Sequence, residues 1–323
     1  MINVPNIDAF SSSILLLFGT LSIKFILRKF NQPNPLLFFH FYCQKLAEKV
    51  NKSTNTPNQN KISGVIATFI TLLPIIIILW LFEVFIEVPW LWQGFLLYLA
   101  LGSFNLTHIS KSLAQALVAN QYYLAKQILN PWVLRETEEL SNLGLSKACI
   151  EMQLLRTLQQ HITVCACYLF AGPLFALSYR LLLEMHYSWN VKRLSTTQFG
   201  LCANQLVNII QWLPVRLFTL LLLCSAGQNT VLFWRLIKGR FFQLNNNISI
   251  HCLALILEIK LGGVAIYEGV KQRRMSFNDQ ARQPQATDII HATQTIKRSI
   301  LFSYFILFVI AAFVLTIGLL TSN

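Results

Sequence analysis

The sequence predicts an all-α, polytopic membrane protein, and three observations predict it. The 323 residues are 54% hydrophobic but only 12% charged, against about 25% charged in an ordinary soluble domain. Six apolar stretches read as spans against the ruler of about 20 residues per crossing. The 26 Lys and Arg, against 13 Asp and Glu for a net +13, fall between those stretches and not in one basic block, which argues against nucleic acid as a partner. The same composition excludes a disordered chain. Seven cysteines without a C-x-x-C pair exclude a disulfide framework. Cys165 and Cys167 would point about 200° apart on a helix, so they make a poor pair for one metal ion.

The predicted elements follow in order. The first span, Ile7 to Leu27, is an anchor whose Lys24 can snorkel to the headgroups. Residues 35–50 start PLLFFHFY and end QKLAEKV, which predicts an interfacial helix. The polar stretch 51–61 reads as a linker. Gly64 to Ile86 is the strongest span, with a kink expected at Pro74. After Val88-Pro89 a short third span runs from Trp90 to Phe104, closing a helical hairpin with Trp80, Trp90 and Trp92 near one interface. Leu106, Ile109, Leu113, Leu117, Leu124 and Ile128 recur at helical spacing and predict an amphipathic helix over 106–129. The remaining spans are Ile162 to Met185, Leu201 to Ser225 and Ile300 to Leu320. An N-terminal anchor with its basic linker (1–63) thus precedes a membrane domain (64–323) with large loops at 105–161 and 226–299.

Lysine and arginine then set the direction. Loop 28–63 holds six, loop 105–161 five and loop 226–299 ten, while loop 186–199 holds only Lys192 and Arg193. The bias places the three rich loops on the cytoplasmic side of the membrane, with loop 186–199 and both termini across from them. Most of the basic excess is therefore a topology signal with an attraction to anionic lipid.

Most catalytic templates are absent: no Walker loop, G-x-G-x-x-G, G-x-S-x-G or H-E-x-x-H occurs. The six histidines are scattered. Arg180 and Arg216 fall inside predicted spans, where charge is costly enough to read as functional, or within snorkelling reach of an interface; both readings stand. Three stretches stand out together. They are Arg135-Glu136-Thr137, then Trp212-Leu213-Pro214-Val215-Arg216-Leu217, then Leu261-Gly262-Gly263 with Tyr267 and Gly269, followed by Arg282 and Asp288-Ile289.

In this order and between these spans, the stretches resemble the CobD/CbiB family, the membrane adenosylcobinamide-phosphate synthases of cobalamin biosynthesis, over roughly residues 105–298. The family's Gly-Arg-Asp-Thr falls on Leu134 to Thr137, its next basic residue on Lys147, and its first acidic residue on Glu151. Its Tyr-Lys pair falls on Tyr179-Arg180, its Leu-Pro-Ala-Arg-Leu on Leu213 to Leu217, and its Leu-Gly-Gly-x-x-x-Tyr-x-Gly on Leu261 to Gly269. The resemblance implies a ligase joining an aminopropanol phosphate to a corrin carboxyl with ATP and magnesium. It implies Glu136 and Glu151 as acids in the chemistry. The implied phosphate and substrate contacts are Arg135, Thr137, Lys147, Arg180, Arg216, Gly262, Gly263, Tyr267, Gly269, Arg282 and Asp288, with a corrinoid or nucleotide as ligand.

The departures fall on acids. The family's Ala-Glu-Asn aligns with Leu154-Leu155-Arg156 and its Asp-Gly with Gln159-Gln160. Its Asn-Thr-Leu-Asp-Ser aligns with Leu183 to Tyr187, and its Asp-Asp with Val207-Asn208. Glycines and prolines that shape the backbone persist while carboxylates for a hard cation thin out, so whether ligation survives stays open. A smaller relative, the inner-membrane protein AmpE of beta-lactamase induction, resembles the chain at Val88-Pro89 and Trp212 to Leu217. A non-catalytic regulator on the same scaffold is therefore the alternative.

Overall fold

The computed structural model describes residues 9–27, 35–52, 54–102, 105–224, 229–237, 240–242 and 244–321. Residues 7–8, Ser103, Phe104 and Ser225 of the predicted spans lie outside these. In chain order the elements are α1 (Ala9–Leu27), α2 (Leu37–Val50), α3 (Pro57–Glu83), α4 (Pro89–Ala100), α5 (Leu106–Val118), α6 (Tyr122–Leu129) and α7 (Asn142–Thr157). They continue with α8 (Thr163–Ser188), α9 (Leu201–Leu223), α10 (Asn229–Ile237), α11 (Asn247–Ile256), β1 (Leu261–Tyr267), β2 (Val270–Phe277) and α12 (Ala286–Thr321). One turn of π-helix, Leu158–Ile162, joins α7 to α8.

Two apolar clusters organise them. One gathers α1 to α4, α8 and the start of α9 around Leu17, Leu97, Tyr179, Phe199 and Val207. The other gathers α5 to α7, α11, the end of α9 and the start of α12 around Leu113, Leu145, Phe218, Leu253 and Ile289. Among the described residues four helices are long and apolar enough to cross a membrane: α3, the continuous α7–α8, α9 and α12. The predicted count of six spans does not follow. The twelve residues of α4 reach only about 18 Å, short of a hydrocarbon core about 30 Å thick. What holds is a helical membrane protein.

α3 turns Ile70, Ile77, Ile78 and Trp80 outward, an apolar surface of the kind lipid covers. It starts earlier than predicted. Thr56 Oγ1 accepts from the Gln59 N–H while the Gln59 side chain accepts from the Thr56 N–H, and Pro57 takes the first helical position. That capping box lies in the stretch read as a linker. The predicted helix 106–129 is two helices, because Asn120 at φ 56° breaks it.

A larger correction concerns α8. Ala171 (φ −142°, ψ 16°) and Gly172 (φ 80°, ψ −177°) are non-helical, and Pro173 follows. The chain reverses there, so Tyr179 and Tyr187 come back to Gln159: their hydroxyls donate to its backbone oxygen at 3.0 Å and its Oε1 at 2.8 Å. α8 is thus a re-entrant hairpin and not one crossing. Loop 186–199 accordingly lies with the other hydrophilic loops, contrary to the predicted orientation. The Ser195 N–H and Oγ–H donate to Glu268 at 3.1 and 2.6 Å, Gln272 Nε2 donates to the Lys192 oxygen at 2.9 Å, and Asn51 Nδ2 to the Ser195 oxygen at 2.6 Å. Counting charges between apolar runs assumes that each run crosses; a Gly-Pro turn in mid-run removes that assumption. Since only glycine tolerates the Gly172 backbone, Gly172→Ala is expected to lower stability by about 1–3 kcal/mol, read as a lower melting temperature in detergent.

The all-α prediction also misses one antiparallel hairpin. β1 and β2 pair from Leu261 against Phe277 to Tyr267 against Val270, with a bulge between Gly262 and Val264. Glu268 and Gly269, at φ 48° and 73°, form the two-residue turn that matches strand twist.

Candidate functional site

α7 presents Glu151, 2% exposed, to the hairpin. Its Oε2 accepts from Arg135 Nη2 at 2.6 Å and from Arg274 Nη1 at 3.1 Å, and its Oε1 accepts from the Gly262 N–H at 3.0 Å. One buried carboxylate therefore ties the 134–137 loop, β1 and β2 to α7. A buried charge is tolerable only with such partners. Gly262 makes the approach possible: at φ 75° a Cβ would sit 2.2 Å from the Met275 oxygen. Burial alone would lower the pKa of the Arg274 guanidinium, but the Glu151 carboxylate beside it outweighs that and holds it above its ordinary value. Glu136 continues the seam, its N–H donating to the Ile266 oxygen at 3.1 Å and its Oε1 accepting from the Gly269 N–H at 2.6 Å.

Beside this hub opens a chamber of about 460 Å³ walled by α7, α8, α9, loop 186–199, α11 and the hairpin. Arg135, Arg156, Lys192 and Arg274 reach its wall; Glu151 is the carboxylate among them. Arg156 donates to the Trp132 oxygen at 3.0 Å and lies 5.1 Å from the Trp132 ring and 5.2 Å from the Tyr187 ring. Lys192 Nζ stands 5.8 Å from the Tyr267 ring. These aromatic faces hold cations in place without neutralising them. Amides complete the polar wall: Gln159, Asn190, Asn204, Asn208 and Asn245 to Asn247. Arg274 Nη2, His186 Nδ1, Asn245 Oδ1 and Asn246 Oδ1 are buried without a hydrogen-bond partner. Four such atoms on one cavity are what a bound polar ligand would satisfy.

The motif residues divide. Arg135, Glu136, Glu151, Gly262, Gly263, Tyr267 and Gly269 come together at the hub, Gly263 through its oxygen, which accepts from Arg274 Nε at 3.2 Å. Thr137 is buried just outside and donates to Asn130 Oδ1 at 3.4 Å. Lys147 is half-buried one turn before Glu151, off the wall. Arg180 lies elsewhere, 1% exposed, with Nη1 2.7 Å from Glu184 Oε1, whose other oxygen is 3.0 Å from His40 Nδ1. Arg216 donates to the oxygens of Trp212, Phe241, Phe242 and Leu244 at 2.7–3.0 Å. Its two Nη groups are thus engaged by backbone oxygens, while its Nε is buried without a hydrogen-bond partner. Arg282 and Asp288 form a bidentate pair at 2.7 Å in a separate cleft with His291 and Arg298.

Arg156, Lys192 and Arg274 escaped the sequence reading. Arg156 had a signal, because it sits where the family carries Ala-Glu-Asn. All four departing segments reach the chamber wall, through Leu155 and Arg156, Gln159, His186 and Tyr187, and Asn208.

The magnesium implied by the resemblance does not fit this wall. Glu151 already accepts three hydrogen bonds, two of them from guanidiniums, and a hard cation wants free oxygen ligands. Among the described residues no three His, Cys, Asp or Glu side chains stand close enough to hold a metal ion.

The cobalamin biosynthesis protein CobD of Stutzerimonas stutzeri (strain A1501) is 26% identical over 282 residues, 87% of this chain and 92% of that protein. The CobD protein of Leptospira interrogans (strain Fiocruz L1-130) is 25% identical over 216 residues, 65% of this chain and 68% of the other. The CbiB protein of Salmonella typhimurium (strain LT2) is 22% identical over 206 residues, 62% and 65% of the two chains. None of the three is named as the regulator of beta-lactamase induction, and nothing in the site favours that reading. No solved structure matches. The family described as CobD/Cbib protein matches residues 18–296, a region holding the Glu151 hub and the whole chamber wall, and the chain belongs to that family.

Proposed function

We propose that the chain serves cobalamin synthesis by holding an anionic pathway intermediate in the chamber, on the cytoplasmic side of the inner membrane. The observation that carries this reading is the convergence of Arg135, Arg156, Lys192 and Arg274 on one cavity whose wall has Glu151 as its carboxylate. Four cations facing one acid repel each other, and phosphate or carboxylate oxygens relieve that repulsion. Arginine forks suit such oxygens in particular. The family's substrates, an aminopropanol phosphate and a corrinoid carboxyl, are both anions. Trp132, Met152, Ile250 and Phe277 add an apolar stretch of wall against which an organic body can lie.

In this reading Arg156, Lys192 and Arg274 hold the ligand, while Glu151 fixes Arg135 and Arg274 in place. Arg180, Arg216, Arg282 and Asp288 keep the frame. The bilayer is the other partner, meeting the outward apolar faces of α3 and α12. The cytoplasmic assignment rests on the basic loops that meet at the chamber. Deleting the gene in its own host should lower cellular corrinoid content. The wild-type gene should restore it, and Lys192→Ala or Arg156→Ala, which leave the Glu151 hub intact, should not. Unchanged corrinoid content on deletion would contradict the reading.

A further inference from the structure

Leu155, Gln159, His186 and Asn208 stand on the chamber wall at positions where the resemblance puts carboxylates. The amide oxygens of Gln159, Asn208 and the neighbouring Asn190 are engaged. Gln159 Oε1 accepts from the Tyr187 hydroxyl at 2.8 Å, Asn208 Oδ1 from Asn245 Nδ2 at 2.9 Å, and Asn190 Oδ1 from the Lys192 N–H at 3.0 Å. Glu151 is saturated by Arg135, Arg274 and Gly262. The charge that a divalent ion would bring is already present as Arg156 and Lys192. Arg274 Nη2 is buried without a partner, a donor that an anion's oxygen would satisfy.

We propose that this chamber binds its anionic ligand directly on guanidinium and ammonium groups, with no divalent cation between protein and ligand. The inference rests on the anion-binding reading above and deepens it. Magnesium needs near-octahedral oxygen coordination and normally takes one or two carboxylates beside the ligand's phosphates. This wall offers neither a free carboxylate nor a neutral field. An added dication would meet a wall with four cations and one carboxylate, a net positive field that repels it. A phosphate meets the same field as attraction. The amide oxygens Asn245 Oδ1 and Asn246 Oδ1, also buried without partners, suit a hydroxyl or N–H group elsewhere on the ligand. The ligand class is therefore a phosphate- or carboxylate-bearing molecule that also carries hydrogen-bond donors.

The test is equilibrium binding of pyrophosphate to the full-length chain in detergent, in EDTA and in excess magnesium. Affinity in EDTA is expected to equal or exceed that in magnesium; a loss of about tenfold or more in EDTA, or 1.4 kcal/mol, overturns the proposal. The double variant Gln159→Glu/Asn208→Asp keeps both acceptors for Tyr187 and Asn245 while adding two negative charges. It is expected to bind about tenfold more weakly in EDTA and to regain affinity with magnesium. Unchanged binding in both buffers would show that these positions do not face the ligand, and would also overturn it. If the wild-type chain takes up no pyrophosphate in either buffer, the inference falls, while the gene-deletion result still decides the role in cobalamin synthesis.

Discussion

Glu151→Ala is expected to destabilise the folded protein by about 3–5 kcal/mol, the cost of breaking a buried charge pair by removing one partner. The carboxylate is 2% exposed and joins Arg135, Arg274 and the Gly262 N–H. Its loss leaves two guanidiniums without their shared acid, and Arg135 is itself 8% exposed. The 134–137 loop and the β1–β2 hairpin would then lose their common anchor on α7. Urea or thermal unfolding in detergent reads the effect. Adding Arg135→Ala should cost less than its effect in the wild-type background, with a coupling of about 1–3 kcal/mol. Full additivity of the two losses would mean that Glu151 is not the hub.

The second large effect is expected at Glu184, in the membrane-side cluster. Its oxygens lie 2.7 Å from Arg180 Nη1 and 3.0 Å from His40 Nδ1, and Arg180 is 1% exposed. Glu184→Ala leaves the buried Arg180 guanidinium without its acid, again about 3–5 kcal/mol, and removes the contact of α8 with His40 on α2. Replacing both partners, as Arg180→Met/Glu184→Leu, removes the stranded charge. That double variant is expected to melt closer to wild type than Glu184→Ala does, because a buried pair can often be exchanged for apolar groups at little cost. A double variant that melts below the single one would contradict the assignment of Arg180 and Glu184 to a structural pair.

Much of this was legible in the residues, and what was not has physical causes. The apolar run of α3 and the exposed phenylalanines of α2 read directly from composition. Re-entry at Gly172-Pro173 did not, although the dipeptide is visible, because an apolar run of spanning length reads as a crossing by length alone. The hairpin carried its own signal in the strand-favouring Val264, Ile266 and Tyr267 before the Glu268-Gly269 turn, but short strands compete poorly with long apolar helices in such a chain. At the site, the family resemblance pointed to Arg135, Glu151, Gly262 and Tyr267. Arg274 and Lys192 arrive only when the hairpin closes and loop 186–199 folds back, which no local pattern encodes. Arg216 and Arg282 show the converse: both sit in strong motifs, yet they stand off the chamber wall, with the Nη groups bonded to backbone oxygens and to Asp288 respectively.

The central claim is that the chamber beside Glu151 is a cationic ligand site. The most direct test is an experimental structure of the full-length chain in detergent with pyrophosphate in EDTA. Density for the anion within hydrogen-bond reach of Arg274 and Arg156 is the predicted result. Density in the Arg282–Asp288 cleft instead, with the chamber empty, would contradict it.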